Sequence, residues 1–167
     1  PDKNTSPLEY YSVEYSVPVE LVEILLQDYD SETVDRILGS SYEMRPTSIR
    51  VNTDRISVDE VERKLETAGI ETVRGSLNDT SLLIKGYDYV RRIPGFMDGE
   101  FVVQDQSSCL AVRAAGIQNG DLVVDVCAAP GGKTMYAASL AGQTGRVISR
   151  DLTENKTELI EENVDRL

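Results

Sequence analysis

Residues 122–134 read LVVDVCAAPGGKT, and this stretch decides the fold. Its first five residues are nearly all apolar, which predicts a strand buried on both faces of a parallel sheet. A turn rich in alanine and glycine follows and leads into a helix that we place at residues 134–140. A second strand at residues 146–149 and a final helix come next. This order predicts one βαβ unit followed by the next helix of a parallel α/β sheet.

The turn has the properties of a ligand-binding loop. Small residues at positions 128, 129, 131 and 132 let a ligand approach the backbone closely. The free N–H groups of the following helix favour a negatively charged group. Asp151 follows the second strand and lies 19 residues beyond Gly132, where an acidic side chain can accept hydrogen bonds from ribose hydroxyls.

Several interpretations of this loop remain open. Gly132-Lys133-Thr134 fits the end of a phosphate-binding loop, but Cys127 occupies the position of its first glycine. The dinucleotide pattern G-x-G-x-x-G is absent. A tight strand–helix turn with a surface aspartate is the structural alternative. The loop fits best as the adenosyl-ligand loop of an S-adenosylmethionine-dependent methyltransferase, which needs both the glycine-rich turn and the acid after the second strand.

The segments before this unit predict a smaller domain. Residues 1–17 have the composition of a linker, and two apolar helical patterns follow. Residues 47–52 alternate as a half-buried strand does, and Ser57 with Glu60 forms a capping box at the start of a helix. Further strands are expected at 70–74 and 81–84. We predict a small α+β domain over 18–88, a connector over 89–104 with a short strand at 101–103, and the start of a second domain over 105–167.

Composition and charge restrict the class of protein. The 167 residues are 40% hydrophobic and 28% charged, as in a soluble globular protein, and no apolar run approaches the length of a membrane span. The net charge of −12 argues against a non-specific nucleic-acid binder. The charge is unevenly distributed along the chain. Residues 45–92 hold 9 basic and 8 acidic side chains, whereas residues 1–44 hold 2 basic and 10 acidic ones. Two cysteines, no histidine and no signal peptide predict a cytoplasmic protein without a disulfide framework or a metal site.

Several motifs together resemble one family. Residues 125–134 (DVCAAPGGKT) closely resemble the S-adenosylmethionine-binding motif of the RsmB/Sun family of RNA 5-cytosine methyltransferases. Residues 101–108 (FVVQDQSS) are similar to the segment that precedes the catalytic domain in that family. Residues 47–52 (TSIRVN) are similar to the signature of its preceding RNA-binding domain, and residues 15–22 to the join after its NusB-like domain. The resemblance spans nearly the whole chain.

The resemblance implies a fold, a cofactor and a substrate. The fold is α/β, with a small RRM-like or ferredoxin-like α+β domain followed by the first part of a Rossmann-like methyltransferase sheet. The cofactor is S-adenosylmethionine, and the substrate is a cytosine of 16S ribosomal RNA in the small subunit. Asp151 would hold the ribose, and Asp125 would anchor the loop near the methionine end. The residues expected to line the cofactor site are Cys127, Ala128, Ala129, Pro130, Gly131, Gly132 and Lys133.

The resemblance also implies which residues carry no catalysis. Methylation at C5 of cytosine requires a thiolate that adds to C6, and the two working cysteines of the family lie on later strands, beyond Leu167. Cys127 and Cys109 are therefore not expected to be catalytic, and the chain by itself is expected to be inactive. The alternative is an RNA- or nucleotide-binding module that lacks the chemistry.

Contacts with RNA phosphates are expected from the basic residues of the middle segment. A solvated surface charge is the alternative interpretation for each of them. Tyr87 and Tyr89 are the only nearby aromatic residues for base stacking, and packing against the linker is the favoured alternative for both. The candidate phosphate contacts are Arg45, Arg50, Arg55, Lys85, Arg91 and Arg92.

Overall fold

The computed structural model describes all 167 residues and divides them into two compact units, Pro1–Arg45 and Pro46–Leu167. The first unit is helical, and the second contains both sheets of the molecule. None of the helices combines the length and the apolar character needed to cross a membrane.

The first unit consists of three helices around a small apolar core. Its helices are α1 (Pro7–Glu14), α2 (Val19–Asp28) and α3 (Ser31–Gly39). Residues 1–17 were predicted as a linker, and this prediction is wrong because α1 buries Tyr11 completely. The Tyr11 hydroxyl donates to the carbonyl oxygen of Ser31 at 2.9 Å. The core residues are Tyr11, Val22, Val34 and Leu38.

The second unit begins with a four-stranded antiparallel sheet. Its order is β2-β3-β1-β4, with α4 connecting β1 to β2. Ser57 and Glu60 form the predicted capping box at the start of α4, and the apolar stripe of that helix packs onto the sheet. The arrangement confirms the ferredoxin-like expectation. The elements are β1 (Thr47–Val51), α4 (Val58–Thr67), β2 (Glu71–Arg74), β3 (Ser81–Lys85) and β4 (Phe101–Val103).

The small domain over residues 18–88 stays a prediction, and the compact units of the structure divide the chain within that range, between Arg45 and Pro46. Residues 18–45, predicted as its beginning, belong to the helical unit. Strand β4, predicted inside the connector of residues 89–104, pairs with β1 and completes the sheet, with Phe101 opposite Val51. Both residues are fully buried. This pairing follows from burial of the two side chains, and it joins residues about 50 positions apart in the sequence.

A two-stranded parallel sheet follows. Its strands β5 and β6 pair in parallel, with Val123 opposite Val147, and the order of elements confirms the start of a Rossmann-like fold. Strand β5 was predicted to be buried on both faces. That is wrong in this structure, because Leu122 and Val124 remain 64% and 53% exposed. The elements are α5 (Gln106–Ala114), β5 (Leu122–Asp125), α6 (Gly132–Ala141), β6 (Arg146–Ser149) and α7 (Glu154–Arg166).

Candidate cofactor site

The loop between β5 and α6 is held at both ends by Asp125. This carboxylate lies at the end of β5 and accepts hydrogen bonds from the Cys127 amide at 3.2 Å and from the Thr134 hydroxyl at 2.7 Å. Thr134 is itself buried in the first turn of α6. Asp125 therefore fixes where the loop begins and where the helix starts.

Gly131 gives the loop its shape. Its φ of +105° lies in the left-handed region, which an L side chain rarely adopts. The Gly131 amide donates to the Ala128 carbonyl oxygen at 2.7 Å, which closes the turn. On the outside of the turn, the Asn163 side chain on α7 donates to the Pro130 carbonyl oxygen at 2.7 Å. The turn is thus fixed by its own backbone and by the final helix.

The loop directs free N–H groups toward the site. The first amides of an α-helix have no intrahelical acceptor, and those of Gly132 and Lys133 make no hydrogen bond to the protein. The partial positive charge of the helix N-terminus adds to their effect. The arrangement can bind an anionic group of a ligand.

Asp151 lies against the loop from the neighbouring strand. Its side chain is 3% exposed, and it accepts hydrogen bonds from the amides of Leu152 at 2.7 Å and Ala129 at 2.9 Å and from Lys156 Nζ at 3.0 Å. These donors, the Leu152 amide foremost, lower the pKa of Asp151 below its ordinary value. The carboxylate is therefore charged at neutral pH and joins the ends of β5 and β6. Its contact with a ribose stays a prediction.

The predicted loop residues surround a cavity of about 190 Å³. One wall is the loop, and the other is the turn that connects β4 to α5. The volume lies below the roughly 300 Å³ of typical small-molecule pockets, so it suits one end of a ligand. Of the seven predicted loop residues, only Gly131 does not line it. The lining residues are Val103, Gln104, Asp105, Ser108, Cys127, Ala128, Ala129, Pro130, Gly132 and Lys133.

Four residues of this cavity, Val103, Gln104, Asp105 and Ser108, were not proposed as site residues by the sequence analysis, and Gln104 is the most deeply buried polar one. It is 6% exposed, its Oε1 accepts a hydrogen bond from Arg50 Nε at 2.7 Å, and its Nε2 has no partner. The sequence offered one signal for Gln104, since it is a polar residue directly after the apolar residues of β4. It also precedes Asp105, which caps α5 by accepting a hydrogen bond from the Ser107 amide.

Among the predicted RNA contacts, Arg50 requires a correction. It is only 4% exposed, and its guanidinium lies 4.6 Å from the centre of the Tyr136 ring. Burial lowers its pKa. Arg50 therefore joins the ferredoxin-like sheet to α6 and does not present its charge on the surface. The other five predicted contacts are exposed, and they are Arg45, Arg55, Lys85, Arg91 and Arg92.

The two cysteines have different environments. Cys127 is exposed within the loop, whereas Cys109 is buried on α5. Burial raises the pKa of the Cys109 thiol, which keeps it protonated at neutral pH. A protonated thiol is a weak nucleophile, so Cys109 has the packing role of a small apolar residue.

Two family models match different parts of the chain. The model described as 16S rRNA methyltransferase RsmB/F matches residues 113–167. The model described as the ferredoxin-like domain of RsmF/B-like methyltransferases matches residues 17–90. The second match includes α2 and α3 as well as the strands β1, β2 and β3.

The names of curated relatives agree with the family models, and a solved structure shares the fold. The chain is 34% identical, over 99% of its length, to the probable ribosomal RNA small subunit methyltransferase B of Bacillus subtilis. It is 31% identical, over 92% of its length, to ribosomal RNA small subunit methyltransferase B of Vibrio cholerae. The structure superposes on the crystal structure of PH0851 with a TM-score of 0.84 and 31% sequence identity. The superposition covers 95% of this chain and 36% of the PH0851 chain.

The chain spans 37% of the Bacillus relative and 35% of the Vibrio relative, about a third of the length of each. Within that third, the matches fall on the ferredoxin-like sheet and on the strand–loop–helix unit that holds the cavity. The chain therefore belongs to the RsmB/F methyltransferase family.

Proposed function

We propose that this chain is part of an enzyme that transfers a methyl group from S-adenosylmethionine to C5 of a cytosine in 16S ribosomal RNA. The observation that carries the proposal is the loop of residues 127–133, with its free helix amides on one side and the charged Asp151 carboxylate on the other. The names of the curated relatives support the choice of small-subunit rRNA as the substrate.

The residues around the loop fit S-adenosylmethionine in chemistry. The amides of Gly132 and Lys133 suit a carboxylate, and Asp151 can accept hydrogen bonds from ribose hydroxyls. Ala128 and Ala129 leave room for close approach to the backbone. When bound, S-adenosylmethionine supplies an electrophilic methyl group. The residues of this chain bind and orient the cofactor.

A cysteine other than Cys109 and Cys127 is proposed as the nucleophile. The reaction requires a thiolate that adds to C6 of a cytosine held outside the base stack. Cys109 is buried with a raised pKa, and Cys127 is part of the cofactor loop. Neither thiol is therefore assigned to the covalent step.

Methyl transfer tests this proposal. The protein at its full natural length is incubated with labelled S-adenosylmethionine and unmodified small-subunit rRNA, and the digested RNA is analysed by mass spectrometry. We expect 5-methylcytidine from that protein and none from the 167-residue chain by itself. Binding of cofactor and RNA by the full-length protein without methylation would instead identify an RNA-binding module. Methylation by the 167-residue chain would contradict the assignment of the nucleophile.

An RNA-binding surface is proposed at the end of β3 and the segment after it. Lys85, Arg91 and Arg92 are exposed there, and Tyr89 is 55% exposed. Tyr87 is half-buried and hydrogen-bonded to Thr47. A cavity of about 290 Å³ is lined by Tyr87, Tyr89 and Arg92. Positive charge beside an exposed aromatic ring suits a single-stranded nucleotide.

Replacing Arg91 and Arg92 together by alanine is expected to weaken RNA binding and its dependence on salt. Each phosphate contact to a single strand contributes about 0.7 to the slope of log K against log salt concentration, so the slope should fall by about 1.4. The matched control replaces Arg113 and Arg146, which are also exposed, and should leave the slope unchanged. Equal slopes for the wild type and the Arg91/Arg92 variant would remove this surface from the proposal.

A further inference from the structure

The unpartnered amide of Gln104 is the observation from which the inference starts. Gln104 is 94% buried, and its Nε2 makes no hydrogen bond. An unsatisfied buried donor costs free energy. Such a group in a ligand cavity indicates that a ligand atom completes its hydrogen bonding.

Arg50 fixes the orientation of this amide. Arg50 Nε can only donate, so the oxygen of Gln104 must face it, and the NH₂ group must face the other way. The Gln104 backbone is also held, since its amide donates to the Ser48 carbonyl oxygen at 3.0 Å. Arg50 is held in turn by the Tyr136 ring under its guanidinium. The NH₂ group is therefore presented in one orientation.

The amide lies beside the start of α6. A Cβ added to Gly132 would stand 3.6 Å from Gln104 Cδ and 3.6 Å from Nε2. The free amides of Gly132 and Lys133 border the same cavity of about 190 Å³. The Gln104 NH₂, these amides and the Lys133 ammonium are all hydrogen-bond donors, and together they suit an acceptor with negative charge.

The carboxylate of the methionyl group is the part of S-adenosylmethionine that meets this requirement. It is the anionic group of the cofactor and lies at one end of it, in keeping with the small volume of the cavity. The methionyl ammonium is a donor and would not satisfy Gln104 Nε2. The ribose is left to Asp151, at the end of the neighbouring strand.

We propose that Gln104 is a further cofactor-binding residue, which donates a hydrogen bond from Nε2 to the methionyl carboxylate. This inference rests on the proposed function. Arg50 is the positioning residue of Gln104. The ferredoxin-like sheet, through Arg50 on β1, thereby contributes to cofactor affinity without touching the cofactor.

Two ligands separate this contact from a structural role. S-adenosylhomocysteine carries the carboxylate, and 5′-methylthioadenosine lacks the entire amino-acid end. Binding of each is measured by titration calorimetry with the protein at its full natural length. The variant Gln104→Glu keeps the shape of the side chain and an oxygen for Arg50, but it places a second oxygen toward the ligand carboxylate.

Gln104→Glu is expected to weaken S-adenosylhomocysteine binding by about 10-fold or more, as for a lost hydrogen bond to a charged group. Its affinity for 5′-methylthioadenosine should stay within about 2-fold of the wild-type value, which is inside the scatter of such comparisons. Gln104→Met, which has similar length and no hydrogen-bonding group, should show the same selectivity. Arg50→Met should do so as well, since the amide then loses its fixed orientation. Tyr136→Phe retains the ring under Arg50 and is the control that should not change the ratio of the two affinities.

Each outcome decides between the proposals. A selective loss for S-adenosylhomocysteine supports the Gln104 contact. Unchanged affinities, or a parallel loss for both ligands, overturn it while the proposed cofactor site stands. If the wild-type protein binds neither ligand, the proposed function fails, and the contact at Gln104 fails with it.

Discussion

Replacing Asp151 by alanine is expected to weaken S-adenosylmethionine binding by about 10- to 150-fold, the range for a lost hydrogen bond to a charged acceptor. The variant removes the carboxylate proposed to accept from the ribose hydroxyls. It also removes the acceptor of the Ala129 amide and so releases the middle of the loop from β6. Both effects act on the same ligand, which places this change among the largest expected from any single residue of the site.

Asp151→Asn is the milder change at the same position. Asparagine keeps one acceptor oxygen for the loop or the ligand, so its loss of affinity should be smaller. Asp165→Ala, at an exposed acidic residue of α7, is the control for the change in charge. Titration calorimetry of the three variants at full natural length measures the effect once circular dichroism shows equal folding. Equal affinities for the wild type and Asp151→Ala would remove the proposed ribose contact and leave Asp151 only its hydrogen bonds within the protein.

Replacing Phe101 by alanine is expected to lower the free energy of unfolding by about 3–5 kcal/mol. The side chain is fully buried between the ferredoxin-like sheet and its helix, with its ring 5.7 Å from that of Phe96. Its removal takes apolar surface out of the core and leaves a cavity that the fixed backbone of β4 cannot fill.

Chemical denaturation followed by circular dichroism measures this loss. Val103→Ala is the matched control on the same strand, because Val103 is 44% exposed and should change stability by about 0.5 kcal/mol or less. A loss of under about 1 kcal/mol for Phe101→Ala would show that β4 is a dispensable edge of the sheet.

The elements predicted correctly from sequence are those with local signals. The capping box at Ser57 and Glu60, the glycine turn at Gly131 and the apolar run of β5 all act within a few residues of one another. Local signals of this kind determine where helices and strands begin and end. They also placed the loop and Asp151 at one edge of the parallel sheet, where the structure joins them.

The features that were missed depend on contacts between distant residues. Burial of Tyr11 turned an expected linker into a helix, and pairing with β1 drew Phe101 into the sheet. Arg50 is a charged residue of the kind usually found on the surface. It is buried because its side chain donates a hydrogen bond to Gln104, which lies 54 residues further along the sequence. No pattern within a short window carries such information, because the burial of a charged side chain is decided by its partners.

The contact between Arg50, Gln104 and Tyr136 has a consequence for how this architecture can be rearranged. The three side chains come from β1, from the residue after β4 and from α6. A chimera cut at the apparent join between residues 104 and 105 would separate Arg50 and Gln104 from the aromatic ring that supports them. Recombination between relatives at that join would therefore succeed only where the donor brings a compatible residue at each of the three positions. We therefore expect the ferredoxin-like sheet and the parallel sheet to be exchangeable only together, since the contact between them lies at the candidate cofactor cavity.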